Sequence, residues 1–290
     1  MLNSIALIGG THGNETSGIQ LITNWLNTGL PERFESLNVT CALANMAAIE
    51  ANQRFLDEDL NRQFTAEKLA ADNPAREAQL AKKLNAKYGP KGHSATDFFI
   101  DIHNTTSNMG ATLIVLEADD FNTKLARFVK HVMPEANILV EDEKSFVEHG
   151  YFCTVGKKGV MIEVGAQPQG VLREDVYQLT LTMAEAILDF CVAWNARSQE
   201  LANLPPCEAF RLGHEVKFPL DENGKRKAMI HHSLQDQDFT PLLPGAPIFR
   251  GFDGTDFVWE DDNETYPHFI NEAAYHKLDV AFATAERISF

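Results

Sequence analysis

Three residues in this chain carry the donor atoms of a metal site. His12 and Glu15 stand three apart in Ile-Gly-Gly-Thr-His-Gly-Asn-Glu, and His103 follows 88 residues after Glu15 in Phe-Ile-Asp-Ile-His-Asn. Two imidazoles and one carboxylate suit zinc, and three protein ligands leave the fourth position open, which separates a catalytic ion from a structural one. The trio predicts one zinc ion per chain and metal-assisted hydrolysis. A lone His-x-x-Glu arises by chance, and a histidine among apolar neighbours is more often structural. The setting gives this pair its weight. Gly9-Gly10 precedes it and a helical pattern follows, so the ligands occupy a strand-to-helix turn at the carboxyl end of a strand, where open α/β sheets place ligands. Asp101 shares a strand face with His103 and is placed to fix the tautomer of a ligand imidazole, or is an ordinary buried carboxylate.

Glu163 is the polar residue near the end of the apolar run Val-Met-Ile-Glu-Val-Gly. Burying a carboxylate there is costly unless something pairs with it. A metal with an open position would supply the reason, with Glu163 moving a proton from water to a leaving amine. The plain alternative is a strand-end glutamate facing solvent. The stretch Arg54-Phe-Leu-Asp-Glu-Asp-Leu-Asn-Arg62 holds more polar groups than a strand or helix face needs. Arg54 is suited to stabilise the oxyanion formed when an amide is attacked. Asn61 and Arg62 are suited to clamp a substrate carboxylate. By itself such a stretch reads as a solvated loop.

Bringing these residues together requires distant strand ends to meet. Ser4 to Gly9 reads as a buried strand, and Ile19, Ile22, Trp25 and Leu26 give one apolar face to a helix from Glu15 to Asn27. Leu37 to Leu43 alternates as a second strand, and a polar helix runs from Pro74 to Tyr88, stopped by Gly89-Pro90. Asp97 to His103, Ala111 to Leu116, Asn137 to Val140 and Val160 to Val164 read as further strands, with a long helix from Glu174 to Trp194. The pattern is α/β with a mostly parallel or mixed sheet flanked by helices. Asn195 to Pro206 reads as a linker. Beyond it, short β-patterned runs are divided by Asn223-Gly224, Pro244-Gly245 and Asp253-Gly254, which predicts a smaller β-rich C-terminal domain. The expected division is 1–205 and 206–290.

With 290 residues, 44% of them hydrophobic, the chain has the makings of an ordinary globular protein. Its formal charge of −16 argues against nucleic acid and anionic membranes, which need a clustered basic surface. The expected partner is a small molecule, with a homo-oligomer left open. Cys41, Cys153, Cys191 and Cys207 are scattered and offer neither a disulfide framework nor a thiolate site. The N-terminus reads as a strand rather than a signal peptide, and no apolar stretch approaches the roughly 20 residues of a membrane span. A cytoplasmic location is expected.

Six motifs occur in order: Gly-Gly-Thr-His-Gly-Asn-Glu, Asp-Leu-Asn-Arg-Gln-Phe, Asp-Ile-His-Asn-Thr-Thr-Ser-Asn-Met-Gly, Ile-Glu-Val-Gly-Ala-Gln-Pro-Gln-Gly-Val-Leu-Arg, Leu-Gln-Asp-Gln-Asp and Ile-Asn-Glu-Ala-Ala-Tyr. Through them nearly the whole chain resembles the aspartoacylases and related aminoacylases, zinc amidohydrolases with a carboxypeptidase-like α/β domain and an added β-rich C-terminal domain. The resemblance implies that His12, Glu15 and His103 bind zinc and that Glu163 is the general base. It implies that Arg54 polarises the scissile carbonyl, that Asn61 and Arg62 hold the substrate's α-carboxylate, and that Tyr275 contacts substrate. The implied activity is hydrolysis of N-acetyl-L-aspartate, or another N-acyl-L-aspartate, to a carboxylate and L-aspartate. Alternatives are a broader N-acyl amino acid aminoacylase, a small-peptide zinc carboxypeptidase, or a binding protein without catalysis. One position departs from the family. Where the best-known animal aspartoacylases carry an arginine for the aspartate side chain, this chain has Cys153, and Lys157, Lys158 or Arg173 is expected to substitute.

Overall fold

The apolar runs form strands that share one sheet. The computed structural model describes all 290 residues. Strands β1 (Ile5–Gly9), β2 (Val39–Leu43), β3 (Phe98–Asn104), β4 (Gly110–Val115), β5 (Asn137–Val140), β6 (Lys158–Gly165), β7 (Glu208–Lys217) and β11 (Val280–Ser289) make an eight-stranded sheet in the order β11-β7-β5-β4-β6-β3-β1-β2. The sheet is mixed: β2, β1, β3 and β6 run parallel, β4 is antiparallel to β6, and β11 is antiparallel to β7. A three-stranded sheet holds β8 (Ala228–Ile230), β9 (Pro247–Gly251) and β10 (Asp256–Val258).

Helices α1 (Thr16–Thr28), α2 (Met46–Ala51), α3 (Ala66–Ala70), α4 (Arg76–Tyr88), α5 (Asp120–Val132), α6 (Glu174–Asn195) and α7 (Glu200–Asn203) complete the chain. One sheet face packs with α1, α5 and α6 around Leu7, Ile100, Leu113 and Ile162. The other face, carrying Ile8, Phe99, Ile114 and Met161, is covered by α4, Phe64, Phe152, Phe269 and Tyr266. Strand alternation assigns the two sets, since neighbours along a strand point to opposite faces. The candidate site residues His103 and Glu163 rise from the second face.

The strands and helices expected along residues 4–194 all form, with ends shifted by a residue or two. The expected mixed α/β architecture with a smaller C-terminal sheet is the one observed. Helix α5 lay outside the reading, although Asp119 caps it by accepting from the Asn122 amide at 2.8 Å. Helix α6, 22 residues long, has the length and composition of a membrane span, contrary to the expectation that no apolar stretch approaches one. Its Val176, Met183, Ile187, Leu188 and Phe190 are packed into the core. Two strands of the C-terminal segment, β7 and β11, extend the large sheet beside β5 instead of forming a sheet of their own. The predicted turns at Gly224, Gly245 and Gly254 all have positive φ.

Candidate active site

The ligand loop joins β1 to α1. It passes so close to α2 that a Cβ on Gly13 would lie 2.1 Å from the Ala48 carbonyl carbon, which requires glycine. This brings His12 Nδ1 to 2.7 Å from Glu15 Oε1, while His103 at the end of β3 places its Nδ1 2.8 Å from Glu15 Oε2. The two Nδ1 atoms are 3.2 Å apart, and all three residues are buried.

Each imidazole has a carboxylate behind it, hydrogen-bonded for His12 and in ion-pair contact for His103. His12 Nε2 is 2.9 Å from Asp59 Oδ1, and His103 Nε2 is 3.0 Å from Asp101 Oδ2, whose other oxygen accepts from the Thr11 hydroxyl at 2.7 Å. A carboxylate at Nε2 keeps the proton there and leaves the Nδ1 lone pair free. Two such lone pairs and the Glu15 carboxylate converge, with donor atoms within 4.8 Å of one another. Glu15, Asp59 and Asp101 outnumber the two guanidiniums of Arg54 and Arg62, and a divalent cation fits this donor set and charge. Burial opposes ionisation of Glu15, yet the facing His12 and His103 hold its carboxyl well below the usual range. Burial also opposes protonation of His103, and Asp101 and Glu15 overcome it and raise its pKa.

The remaining predicted residues line the same cavity: Arg54, Asn61, Arg62, Glu163 and Tyr275. Glu163 is the register partner of His103 across β6 and β3, so both side chains rise from one face. Burial, then the nearby Glu15, pushes its carboxyl well above the ordinary range. Arg54 donates from Nη1 to Glu15 Oε1 at 2.9 Å and from Nε and Nη2 to Asp59 Oδ2 at 3.2 and 3.1 Å. Asn61 is fixed by accepting from the Phe152 amide at 2.7 Å. Arg62 lies over the Tyr151 ring at 5.0 Å and donates to the Asn61 carbonyl at 3.0 Å, with no carboxylate in ion-pair range. Tyr275 packs edge-on against Phe269 from the C-terminal segment.

Three further site residues escaped the sequence reading. Asp59 lay within the polar stretch, but nothing local marks it as the partner of His12. Glu272 lay within the matched Ile-Asn-Glu-Ala-Ala-Tyr motif. Its Oε2 accepts from the Thr105 and Thr106 hydroxyls and the Thr106 amide, which ties the C-terminal segment to the loop after β3. Glu141 follows the apolar strand Asn-Ile-Leu-Val, the same signal that singled out Glu163.

The expected substitutes for the arginine missing at Cys153 lie elsewhere. Lys157 pairs with Asp97 at 2.7 Å, Lys158 with Asp119, and Arg173 with Asp175. None lines the cavity. Cys153 itself is fully buried in the core beside Phe152. The β6 register explains the misplacement: Lys158 starts the strand five residues from Glu163, at the opposite end from the ligands.

Residues 1–191 match the Succinylglutamate desuccinylase/Aspartoacylase catalytic domain, and residues 205–287 match the AstE/AspA barrel-sandwich hybrid domain. The chain belongs to this family. It is 40% identical over 291 residues to an aspartoacylase of Danio rerio, covering 98% of this chain and 91% of the relative. It is also 40% identical over 296 residues to an N-acyl-aromatic-L-amino acid amidohydrolase (carboxylate-forming) of Homo sapiens, covering 100% of this chain and 92% of that one. Among solved structures, murine aminoacylase 3 superposes with TM-score 0.90 at 36% identity, over 100% of this chain and 96% of the other. As a family member whose catalytic domain is matched through the ligand cluster and Glu163, the chain is a hydrolase.

Proposed function

We propose that the chain is a zinc-dependent deacylase that hydrolyses N-acyl-L-amino acids to a carboxylate and the free amino acid. N-acetyl-L-aspartate is the substrate named by the resemblance, and the aspartoacylase relatives support it. The reading is carried by the convergence, in one cavity, of the His12, Glu15 and His103 donors, the unpaired Glu163 carboxyl and the only cavity arginine without a carboxylate partner, Arg62. His12, Glu15 and His103 would hold the ion, which when bound supplies a Lewis acid and lowers the pKa of water toward about 7.

The protein's own groups do the rest. Arg62 and the Asn61 amide hold the α-carboxylate and orient the acyl carbonyl toward the ligand cluster. Glu163 takes the proton of the attacking water and returns it to the amide nitrogen as that bond breaks. Arg54 spends Nε and Nη2 on Asp59 and Nη1 on Glu15, which leaves one N–H on each Nη to meet negative charge developing on the carbonyl oxygen. Phe269, Ala274 and Tyr275 cover the cavity from residues 206–290, which supports a closing role for that segment. A peptide-cleaving carboxypeptidase would use the same groups, and blocked dipeptides test it.

One observation favours the broader aminoacylase reading over strict N-acetylaspartate hydrolysis. Apart from Arg54 and Arg62, no arginine or lysine lines the cavity, so a second substrate carboxylate has no free cation to meet. Amine release from a panel of N-acetyl amino acids by zinc-loaded protein is the test. Glu163→Gln is expected to keep its zinc and lose about 10²–10⁴ in kcat. Near-normal turnover would sink Glu163 as the base.

A further inference from the structure

Part of the cavity floor, Glu163, Met161 and Ile114, lies on register-matched rungs of the sheet. Thr112 and Glu163 pair at the ligand end, then Ile114 and Met161, then Leu139 beside Ile114. Glu141 follows two residues after Leu139 and so rises from the same face. Its amide bonds to the Val115 carbonyl at 2.9 Å, which fixes it to the sheet edge of the cavity. The Tyr151 hydroxyl donates to Glu141 Oε2 at 3.1 Å, while Oε1 has no protein partner and the residue lines the cavity. The same Tyr151 ring lies under the Arg62 guanidinium, so the carboxylate clamp and Glu141 share one side chain.

On the deacylase reading, a substrate with its carbonyl at the ligand cluster and its α-carboxylate on Arg62 would have Met161, Ile114 and Glu141 among the remaining lining to meet its side chain. The opposite wall offers Glu272, whose Oε2 is already engaged by Thr105 and Thr106. Both walls therefore present acids. We propose that Glu141 is a specificity-determining residue at the end of the side-chain recess, selecting N-acyl amino acids whose side chain ends in an uncharged hydrogen-bond donor such as a carboxamide and rejecting a second carboxylate. The proposal rests on the deacylase reading and narrows its substrate class. Burial pushes the Glu141 carboxyl up to about 7. A carboxamide suits either form, since its NH₂ donates to the carboxylate and its oxygen accepts from the acid. A carboxylate suits only the protonated form and brings two acids together where the nearby Arg62 guanidinium is already taken by the α-carboxylate.

Isosteric pairs isolate the charge: N-acetyl-L-asparagine against N-acetyl-L-aspartate, and N-acetyl-L-glutamine against N-acetyl-L-glutamate. Zinc-loaded wild type is expected to favour the amide by about tenfold or more in kcat/KM. Glu141→Gln, which keeps an acceptor for Tyr151, is expected to bring that ratio toward one, and unchanged circular dichroism shows that it folds. A wild type that favours the acid, or an amide preference that survives in Glu141→Gln, overturns the proposal. Hydrolysis of none of the four compounds while other N-acetyl amino acids are cleaved overturns the proposal, and hydrolysis of no N-acetyl amino acid at all overturns the deacylase reading instead. Calorimetric affinities for the same pairs then carry the test: tighter amide binding lost in Glu141→Gln supports the role of Glu141, and equal binding in wild type overturns it.

Discussion

The ligand imidazoles owe their readiness to two aspartates behind them. Asp59 is hydrogen-bonded to His12 Nε2 at 2.9 Å and Asp101 lies 3.0 Å from His103 Nε2, so both Nδ1 atoms face the space beside Glu15 where an ion would sit. Asp59→Asn is expected to weaken zinc affinity about 10–100-fold, read by competition with a chelator, because an amide can present a donor where Nε2–H needs an acceptor. Arg62 stands differently: its guanidinium lacks a carboxylate and rests on Tyr151. Arg62→Ala is expected to raise KM for an N-acyl amino acid far more than it lowers kcat, and an unchanged KM would argue against the clamp. The ligand trio and Glu163 were legible because types and spacing announced them. Asp59 was not, because its meaning depends on where a loop 47 residues from His12 folds back.

The loops of the C-terminal segment hold the cavity roof through one half-buried acid. Asp238, in Leu-Gln-Asp-Gln-Asp, accepts from the Ile270 amide at 3.2 Å, and Asn108 donates from its side chain to the Asp236 carbonyl at 2.9 Å. Asp236, Phe239, Phe269 and Asn271 all take positive φ, so this clamp fixes a conformation that non-glycine residues rarely adopt alone. Burial raises the Asp238 carboxyl to about 7. A raised acid binds its proton more tightly in the folded state, so it costs no stability below its ordinary value of 3.8 and its full penalty above about 7. Asp238→Asn removes the ionisation, and its Tm relative to wild type is expected to rise between pH 4 and pH 8. A pH-independent difference would contradict that account. Helix α5 was passed over for a reason at this level too: Asp119 and the spacing of Phe121, Leu125 and Val129 marked it, yet it lies between two strands that read more strongly.

The charge of −16 surrounds a cavity built to receive an anion. Long-range repulsion should slow encounter with an N-acyl amino acid, and salt screens that field more than the short contacts to Arg62. The kcat/KM of zinc-loaded protein is therefore expected to rise with ionic strength at low salt before specific weakening sets in, and a monotonic fall from the lowest salt would exclude this. The amino-acid sequence alone marked the candidate ligands and Glu163, the succession of strands and helices along the chain and the α/β class, because spacing and hydrophobic period are local properties of a chain. Only the tertiary structure decided which charges meet. It joined β7 and β11 to the large sheet, drew Lys157, Lys158 and Arg173 to aspartates outside the cavity, and brought Glu141 into the cavity lining. The reason is physical: electrostatic partnership depends on distance through space and on burial, neither of which is written in separation along the chain.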